Sequence, residues 1–102
     1  MATTTPVNIS ATGDNIVISG GGSAIKVVGI ALIVDRECSI QAKDGSNLLG
    51  GPMTFRPGGQ LILPFTNGPA WFSCTGTNNF VLNISALGSV TPQISGSVIS
   101  TP

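Results

Sequence analysis

The chain contains no histidine. Histidine is the commonest general base in enzymes and the commonest ligand of transition metals in proteins. Its absence excludes a Ser-His-Asp triad or a Cys-His pair within this chain. No other group of residues typical of catalysis, metal binding or nucleotide binding stands out in the sequence. We therefore predict no enzymatic activity, no cofactor, no metal and no catalytic residues.

Charge is also scarce. Charged residues make up 8% of the chain and the formal net charge is zero, whereas an ordinary globular domain carries about 25%. The four basic residues are scattered and balanced by four acidic ones, which argues against DNA or RNA binding because phosphate contacts dominate that affinity. A nearly neutral surface is more typical of a subunit whose surface is covered in an assembly than of a free monomer. The alternative is a monomer wetted by its many Ser, Thr and Asn side chains.

The sequence shows no standard signal for export or membrane insertion. The first ten residues, MATTTPVNIS, lack the charged and apolar regions of a signal peptide, and the longest apolar run is too short to cross a bilayer as a helix. We therefore expect synthesis in a cytoplasm and no membrane partner. Cys38 and Cys74 could form one disulfide between separate strands, but without export we favour two reduced, buried thiols.

The longest apolar run, Ala24–Val34, is rich in β-branched residues, which favours a strand over a helix. Both of its pleat faces are apolar, as is typical of a strand covered on both sides. One face would pack on the core of the protein, and the other would need a second cover, for which a partner subunit is one candidate. We assign this subunit contact to the face that carries Val28, Ile30 and Leu32.

The rest of the chain shows the period-two alternation and the turn signals of an all-β protein. About eight strands are predicted, without helical periodicity, and an antiparallel β-sandwich fits this pattern best. A jelly-roll is the favoured topology and an immunoglobulin-like sandwich is the alternative. The charged pair Asp35-Arg36 predicts a hairpin turn after the apolar strand. Two strands show a clear inward row: Cys38, Ile40 and Ala42 in one, and Phe80, Leu82 and Ile84 in the other.

Residues 1–12 differ in character from the single sandwich domain that we predict over residues 13–102. They are polar and Thr-rich and contain Pro6. We predict an extended N-terminal arm that is disordered alone or ordered on a neighbouring molecule. The glycine run Gly20–Gly22 is predicted to be a flexible connection, because neither the Lys-Ser/Thr pattern nor the helix of a phosphate-binding loop follows it.

An aromatic pair is one candidate for a binding site. Trp71 and Phe72 follow the loop Asn67–Pro69, and Trp71 could offer a stacking platform for a sugar ring. The alternative is that both side chains pack in the core or at a subunit contact. Consecutive strand residues point to opposite faces, so at most one of the two is expected to face outward.

The only clustered carboxylates are those of Asp35, Glu37 and Asp44. A calcium site needs more oxygen ligands in one loop, and a glycosidase-type pair needs two carboxylates at a set separation in a cleft. We therefore interpret these three residues as solvated turn charges.

Several segments resemble a group of short, all-β virion proteins of tailed bacteriophages. In that group a strand of the form xIQxKDGxxxLxGP precedes a GGxLxLPF strand, and a Trp-containing strand, an LNxSA strand and a final VSGxV-like strand follow. The resemblance covers roughly residues 23–100, and its motifs are mostly turns and core positions. The matching segments are SGGGSAIKVVGIALIV, CSIQAKDGSNLLGGPM, PGGQLILPF, PAWFSCTGTNNFVLNISA and ISGSVIS.

This resemblance implies a capsid decoration, or cement, protein that is made in the host cytoplasm and lies on the capsid surface of the virion. Such a protein forms a small homo-oligomer and bridges neighbouring major capsid subunits. A homotrimer is favoured and a dimer is the alternative, since these suit three-fold and two-fold positions on a capsid. The arm residues expected to contact the capsid are Thr3, Thr4, Thr5, Pro6, Val7, Asn8 and Ile9.

Two other functions stay open at this point. One is a carbohydrate- or receptor-binding module, for which Trp71 would be the ligand platform. The other is a minor tail or head–tail component of a phage, which would share the fold and differ in its location.

Overall fold

The strands of the protein divide between two antiparallel sheets. The computed structural model describes residues 2–21 and 24–102, which form ten strands and no helix. Met1 of the predicted arm, and Gly22 and Ser23 around the predicted glycine connection, lie outside the described residues. The strands are β1 Thr3–Ile9, β2 Gly13–Ile18, β3 Lys26–Val34, β4 Cys38–Asp44, β5 Asn47–Leu48, β6 Met53–Phe55, β7 Gln60–Leu63, β8 Phe72–Ser73, β9 Phe80–Ala86 and β10 Ile94–Thr101.

Sheet A has the strand order β1-β10-β3-β7, and β8 pairs with β3 beyond the end of β7. Sheet B has the order β2-β9-β4-β5, and β6 also pairs with β4. Every pairing is antiparallel. The all-β prediction is therefore confirmed, and the predicted apolar strand is the centre of sheet A. Ten strands replace the expected eight because β1 was assigned to an arm and β5 and β6 were counted as one strand.

The hydrophobic core lies between the two sheets in a sandwich-like arrangement and takes residues from both of them. Sheet B contributes the two inward rows predicted from the alternation of polar and apolar residues, and their six side chains are at most 1% exposed. A ring contact between Phe72 and Phe80, with centroids 5.9 Å apart, joins β8 to β9 across the core. The inward rows of the two long sheet B strands are thus confirmed by the structure.

A β-bulge decides which face of β3 meets the core. Gly29 pairs with Ile99 of β10 and Val27 pairs with Ser100, so Val28 is the extra residue. Ile30 and Leu32 are 3% and 2% exposed and belong to the core. The predicted subunit contact at Val28, Ile30 and Leu32 is therefore placed wrongly, because these side chains are buried within one protomer. Both rows of β3 are apolar, so their composition does not indicate which row faces inward.

The predicted N-terminal arm is in fact an edge strand. β1 pairs with β10 over its whole length, from Thr3 opposite Ser100 to Ile9 opposite Ile94. The side chains of Val7 and Ile9 are buried in the core. Pro6 is tolerated because β1 lies at the edge of the sheet, where one side of the strand needs no partner. The chain therefore has no arm over residues 2–12 that is separate from the domain.

The predicted hairpin at Asp35-Arg36 is also wrong, because β3 belongs to sheet A and β4 to sheet B. The chain crosses from one sheet to the other here. The backbone amide of Asp35 donates to the carbonyl of Gln93 at 3.2 Å, and the Asp35 carboxylate accepts from the Gln93 amide at 2.6 Å. These bonds hold the corner against the segment that leads into β10.

Candidate functional site

The outer face of sheet A is the most distinctive surface of the molecule. We define it by the uncharged outward-facing residues of β3 and by the side chains beside them on β10, on β7 and in the segment just after β7. Ile62 of β7 pairs with Ala31, and Ile99 of β10 pairs with Gly29. The face therefore consists of Gly29, Ala31, Ile33, Ile62, Phe65 and Ile99, together with Ser95 and Ser97 on β10.

Small residues on β3 make a groove in this face. A Cβ atom on Gly29 would lie 3.4 Å from Ile99 Cδ1 and 3.5 Å from the Phe65 Cα, so these two residues flank the glycine. Two shallow hollows of about 250 and about 180 Å³ meet at Ala31 and Ile62. The hollows follow the direction of β3, with β7 on one side and β10 on the other.

The centre of the outer face of sheet A is apolar and uncharged, and the exposed residues Lys26 and Asp35 lie at the two ends of its β3 row. Ile33, Ile62 and Phe65 are 45%, 56% and 54% exposed. The corresponding face of sheet B carries an ion pair instead, between Lys43 Nζ and Asp14 Oδ2 at 3.0 Å. Exposed isoleucine side chains without charged neighbours are costly in water, so this face is suited to contact with another apolar surface.

The dimensions of the face match a small protein interface. The four strands of sheet A, β1, β10, β3 and β7, are seven, eight, nine and four residues long. At about 4.8 Å between strands and about 3.3 Å of rise per residue, the whole sheet spans roughly 450 Å². Two such sheets packed face to face would bury roughly 900 Å², which is close to the size at which a specific protein interface becomes credible. A small-molecule site is a poorer fit, because the hollows are open and have few polar groups to orient a ligand.

Sequence reasoning did not identify Gly29, Ala31 and Ile33 as the outward-facing row of β3. Simple alternation places Lys26 in the same row as Ile30 and Leu32. The bulge at Val28 transfers Lys26 to the outward row, and nothing in the local sequence marks the bulge.

Trp71 lies at the β8 end of this face and is 44% exposed. Its indole Nε1 donates to the Pro64 carbonyl at 2.8 Å, and its backbone amide donates to the Val27 carbonyl at 2.8 Å. Its neighbour Phe72 packs against the core. Trp71 is therefore the outward-facing member of the Trp71–Phe72 pair, with a ring held in place by a hydrogen bond.

Asp44 has a different environment from the solvated one that we predicted. It is 4% exposed at the end of β4. Its Oδ2 accepts from the Thr75 amide at 3.0 Å and from the Thr75 hydroxyl at 2.8 Å, whereas its buried Oδ1 has no partner among residues 2–21 and 24–102. Asp35 and Glu37 are exposed, as expected. Asp44 thus ties the loop after β8 to sheet B and does not serve as a turn charge.

This loop is held by further contacts to the connection that follows β2. The Gly20 amide donates to Asn79 Oδ1 at 2.9 Å, and the Gly45 amide donates to the Asn79 carbonyl at 2.8 Å. A Cβ atom on Gly20 would overlap the carbonyl oxygens of Thr77 and Asn78, so only glycine fits there. These contacts fix the positions of three loops at one end of the molecule.

We expect the Asp44 carboxylate to make stability depend on acid pH. Burial raises the pKa of Asp44, but the hydrogen bonds from the Thr75 hydroxyl and amide, with a further effect from the nearby Asn78 side chain, outweigh it, so the pKa is lowered. A lowered pKa in the folded state means that stability is present above the unfolded pKa of about 3.9 and is lost as pH falls through the folded value. Urea unfolding between pH 7 and pH 2 should show this loss, and Asp44→Asn should reduce it.

Asp14→Asn is a matched control, since the pKa of Asp14 is also lowered, by hydrogen bonds from Asn83 and Lys43. Asp14 is half-exposed, so its contribution should shrink in high salt whereas that of Asp44 should persist. An Asp44→Asn protein whose stability follows the same pH curve as the wild type would contradict the role of Asp44.

Cys38 and Cys74 are buried and unpaired among the described residues, as favoured from the sequence. Burial, with a further effect from the charge of Asp44, raises the pKa of the Cys74 thiol to about 11. Burial and the charge of Asp35 likewise raise the pKa of Cys38. Both side chains are therefore protonated at neutral pH and act as small apolar core residues.

Within residues 2–21 and 24–102, no group of three or more His, Cys, Asp or Glu side chains is placed to hold a metal ion. The same ranges contain no helix with the length and apolar character needed to span a membrane.

Comparisons with protein-family models, with curated proteins and with solved structures find no match to this chain. The functional assignment therefore depends on the residues and on the geometry described above.

Proposed function

We propose that this chain is a structural virion protein of the capsid decoration type, which self-associates and bridges major capsid subunits on the outside of a tailed-phage head. The motif resemblance over roughly residues 23–100 supports this proposal, as do two antiparallel sheets built mainly from those motifs. A jelly-roll connection of the strands is part of the proposal.

The observation that carries the proposal is the apolar, uncharged centre of the outer face of sheet A. Ile33 and Ile62 are about half exposed there in a single chain. A protein with so few charges gains stability and solubility when this face is covered. Self-association provides the cover and leaves the more polar face of sheet B for other contacts.

The structure changes the expected capsid attachment. β1 is paired along its length with β10, so Thr3–Ile9 is not free to extend over a capsid. In the revised proposal the assembled oligomer attaches through surfaces of the folded domain. Several weak contacts from linked copies then give a strong total attachment.

The test is to add the purified protein to phage heads that lack decoration and to measure occupancy by sedimentation and gel densitometry. We expect saturable binding at a fixed ratio of copies to major capsid subunits, and decorated heads that withstand heating better than bare ones. Heads that bind no protein at saturating concentration would overturn the proposal.

A carbohydrate-binding module is the second candidate, because Trp71 is exposed and its ring is held in place by Pro64. Trp71 is the only tryptophan in the chain, so intrinsic fluorescence reports on this position alone. A sugar that stacks on the ring would change that fluorescence, and an unchanged signal with bacterial surface glycans would count against this candidate.

A further inference from the structure

The outward-facing residues of β3 form a row with opposite charges at its two ends. Because Val28 is the extra residue of the bulge, Ala31 lies at the centre of this row, four strand positions from each charged residue. Both charged side chains are exposed. The row runs Lys26, Gly29, Ala31, Ile33 and then Asp35, the first residue after the strand.

We propose that the outer face of sheet A packs against the same face of a second copy, with the two β3 strands antiparallel across a two-fold axis at Ala31. This inference builds on the self-association in the proposed function and specifies its geometry.

Charge favours this orientation of the axis. A two-fold axis along β3 would place Lys26 over Lys26 and Asp35 over Asp35, which is repulsive. An axis across β3 places Lys26 of each copy beside Asp35 of the other. Within the described part of the chain, the ion pair is that of Lys43 and Asp14, so Lys26 is available for a partner. Two ion pairs then border an uncharged centre.

The side-chain sizes along the row fit the same axis. Across Ala31, Ile33 of each copy lies over Gly29 of the other, so a large side chain meets a position that has none. Gly29 is itself buried, with Ile99 and Phe65 beside it. The hollow of about 180 Å³ that these three residues help to line is the space that Ile33 would enter. Packed sheets lie about 10 Å apart with interdigitating side chains, and a small residue at the axis leaves room for that packing.

A second copy is a better occupant than an unrelated protein. In a two-fold contact each pairing occurs twice, because residue i meets residue j and residue j meets residue i. In the outward-facing row of β3, Lys26 pairs with Asp35 and Ile33 pairs with Gly29 in both directions, and no two like charges meet. The outer face of sheet B lacks this symmetry and holds Asp14 and Lys43 in an internal ion pair.

Charge reversal tests the orientation of the axis. Sedimentation equilibrium on the purified wild-type chain should show a dimer. Lys26→Asp should raise the dissociation constant about tenfold or more, because the introduced carboxylate would then meet Asp35 of the other copy. Adding Asp35→Asn removes this like-charge contact and keeps a side-chain oxygen that can accept from the Gln93 amide, so it should restore part of the affinity. If the double variant dimerises no better than Lys26→Asp, the antiparallel orientation is overturned.

A matched pair of isoleucines tests the face itself. Ile62→Lys introduces a charge on the outer face of sheet A, and Ile16→Lys introduces one on sheet B, at side chains that are 56% and 60% exposed. We expect Ile62→Lys to be folded and monomeric and Ile16→Lys to be folded and dimeric. A dimer that survives Ile62→Lys would overturn the use of this face.

The outcomes separate this inference from the proposed function. A stable trimer would overturn the two-fold contact and leave self-association intact. A monomer that still saturates bare heads would overturn the contact and leave capsid decoration intact. A dimer that binds no heads would support the contact and overturn the decoration role.

Discussion

An Ile30→Asp protein is expected to lose its native fold. Ile30 is 3% exposed and lies in the core between the sheets. A carboxylate at this position would be buried without a partner, which costs several kcal/mol against a total stability of about 5–15 kcal/mol for a typical domain. The loss of the β-sheet signal in far-ultraviolet circular dichroism measures this effect.

The adjacent residue is the control. Ala31 is exposed on the outward row of β3, so Ala31→Asp should keep the wild-type circular dichroism spectrum and thermal midpoint in the monomer. It should also weaken self-association. An Ile30→Asp protein that remains folded and becomes monomeric would show that the row of Ile30 is the subunit contact after all.

A Gly96→Ala protein is expected to be destabilised by about 3 kcal/mol or more. Gly96 lies within β10 at a φ of 145°, in a region that side-chain-bearing residues rarely adopt. A Cβ atom there would overlap the Ala31 carbonyl oxygen on the neighbouring strand. The added Cβ atom would be fixed to the backbone of β10, and the Ala31 oxygen belongs to the backbone of β3. Because these two strands are paired, neither atom can move away without breaking the β3–β10 contact. Urea unfolding of the two proteins measures the difference.

Gly50→Ala is the matched control for this substitution. Gly50 is exposed between β5 and β6, and an added Cβ atom would meet nothing within 4 Å. Its free energy of unfolding should stay within about 0.5 kcal/mol of the wild type. Equal losses at Gly50 and Gly96 would contradict the close approach of β10 to β3.

Sequence alone predicted those strands whose two faces differ in polarity. In β4, apolar Cys38, Ile40 and Ala42 alternate with polar residues, and all three are buried. Local pattern suffices where only one register buries the apolar residues.

The errors have long-range causes. In β3 both rows are apolar, and a bulge opposite Ile99 and Ser100 changes the row to which Lys26 belongs. β1 resembles a disordered arm because Thr and Pro6 dominate it, yet pairing with β10 buries Val7 and Ile9. Neither the partner strand nor the bulge can be read from the segment itself.

The structure moves the candidate contact to the other row of β3, where Ala31 and Ile33 are exposed. That a partner subunit covers this row stays a prediction. The burial of Asp44 was missed because it depends on Thr75, which is distant in sequence. The sequence of a turn does not show that a loop distant along the chain will cover it.

The solution mass of the wild-type protein, by light scattering on a size-exclusion column over a wide concentration range, tests most directly whether this chain is an assembly subunit. We predict a mass of twice the 10.3 kDa of one chain, independent of concentration until dilution reaches the dissociation constant. A mass of one chain at every concentration would contradict self-association through the outer face of sheet A.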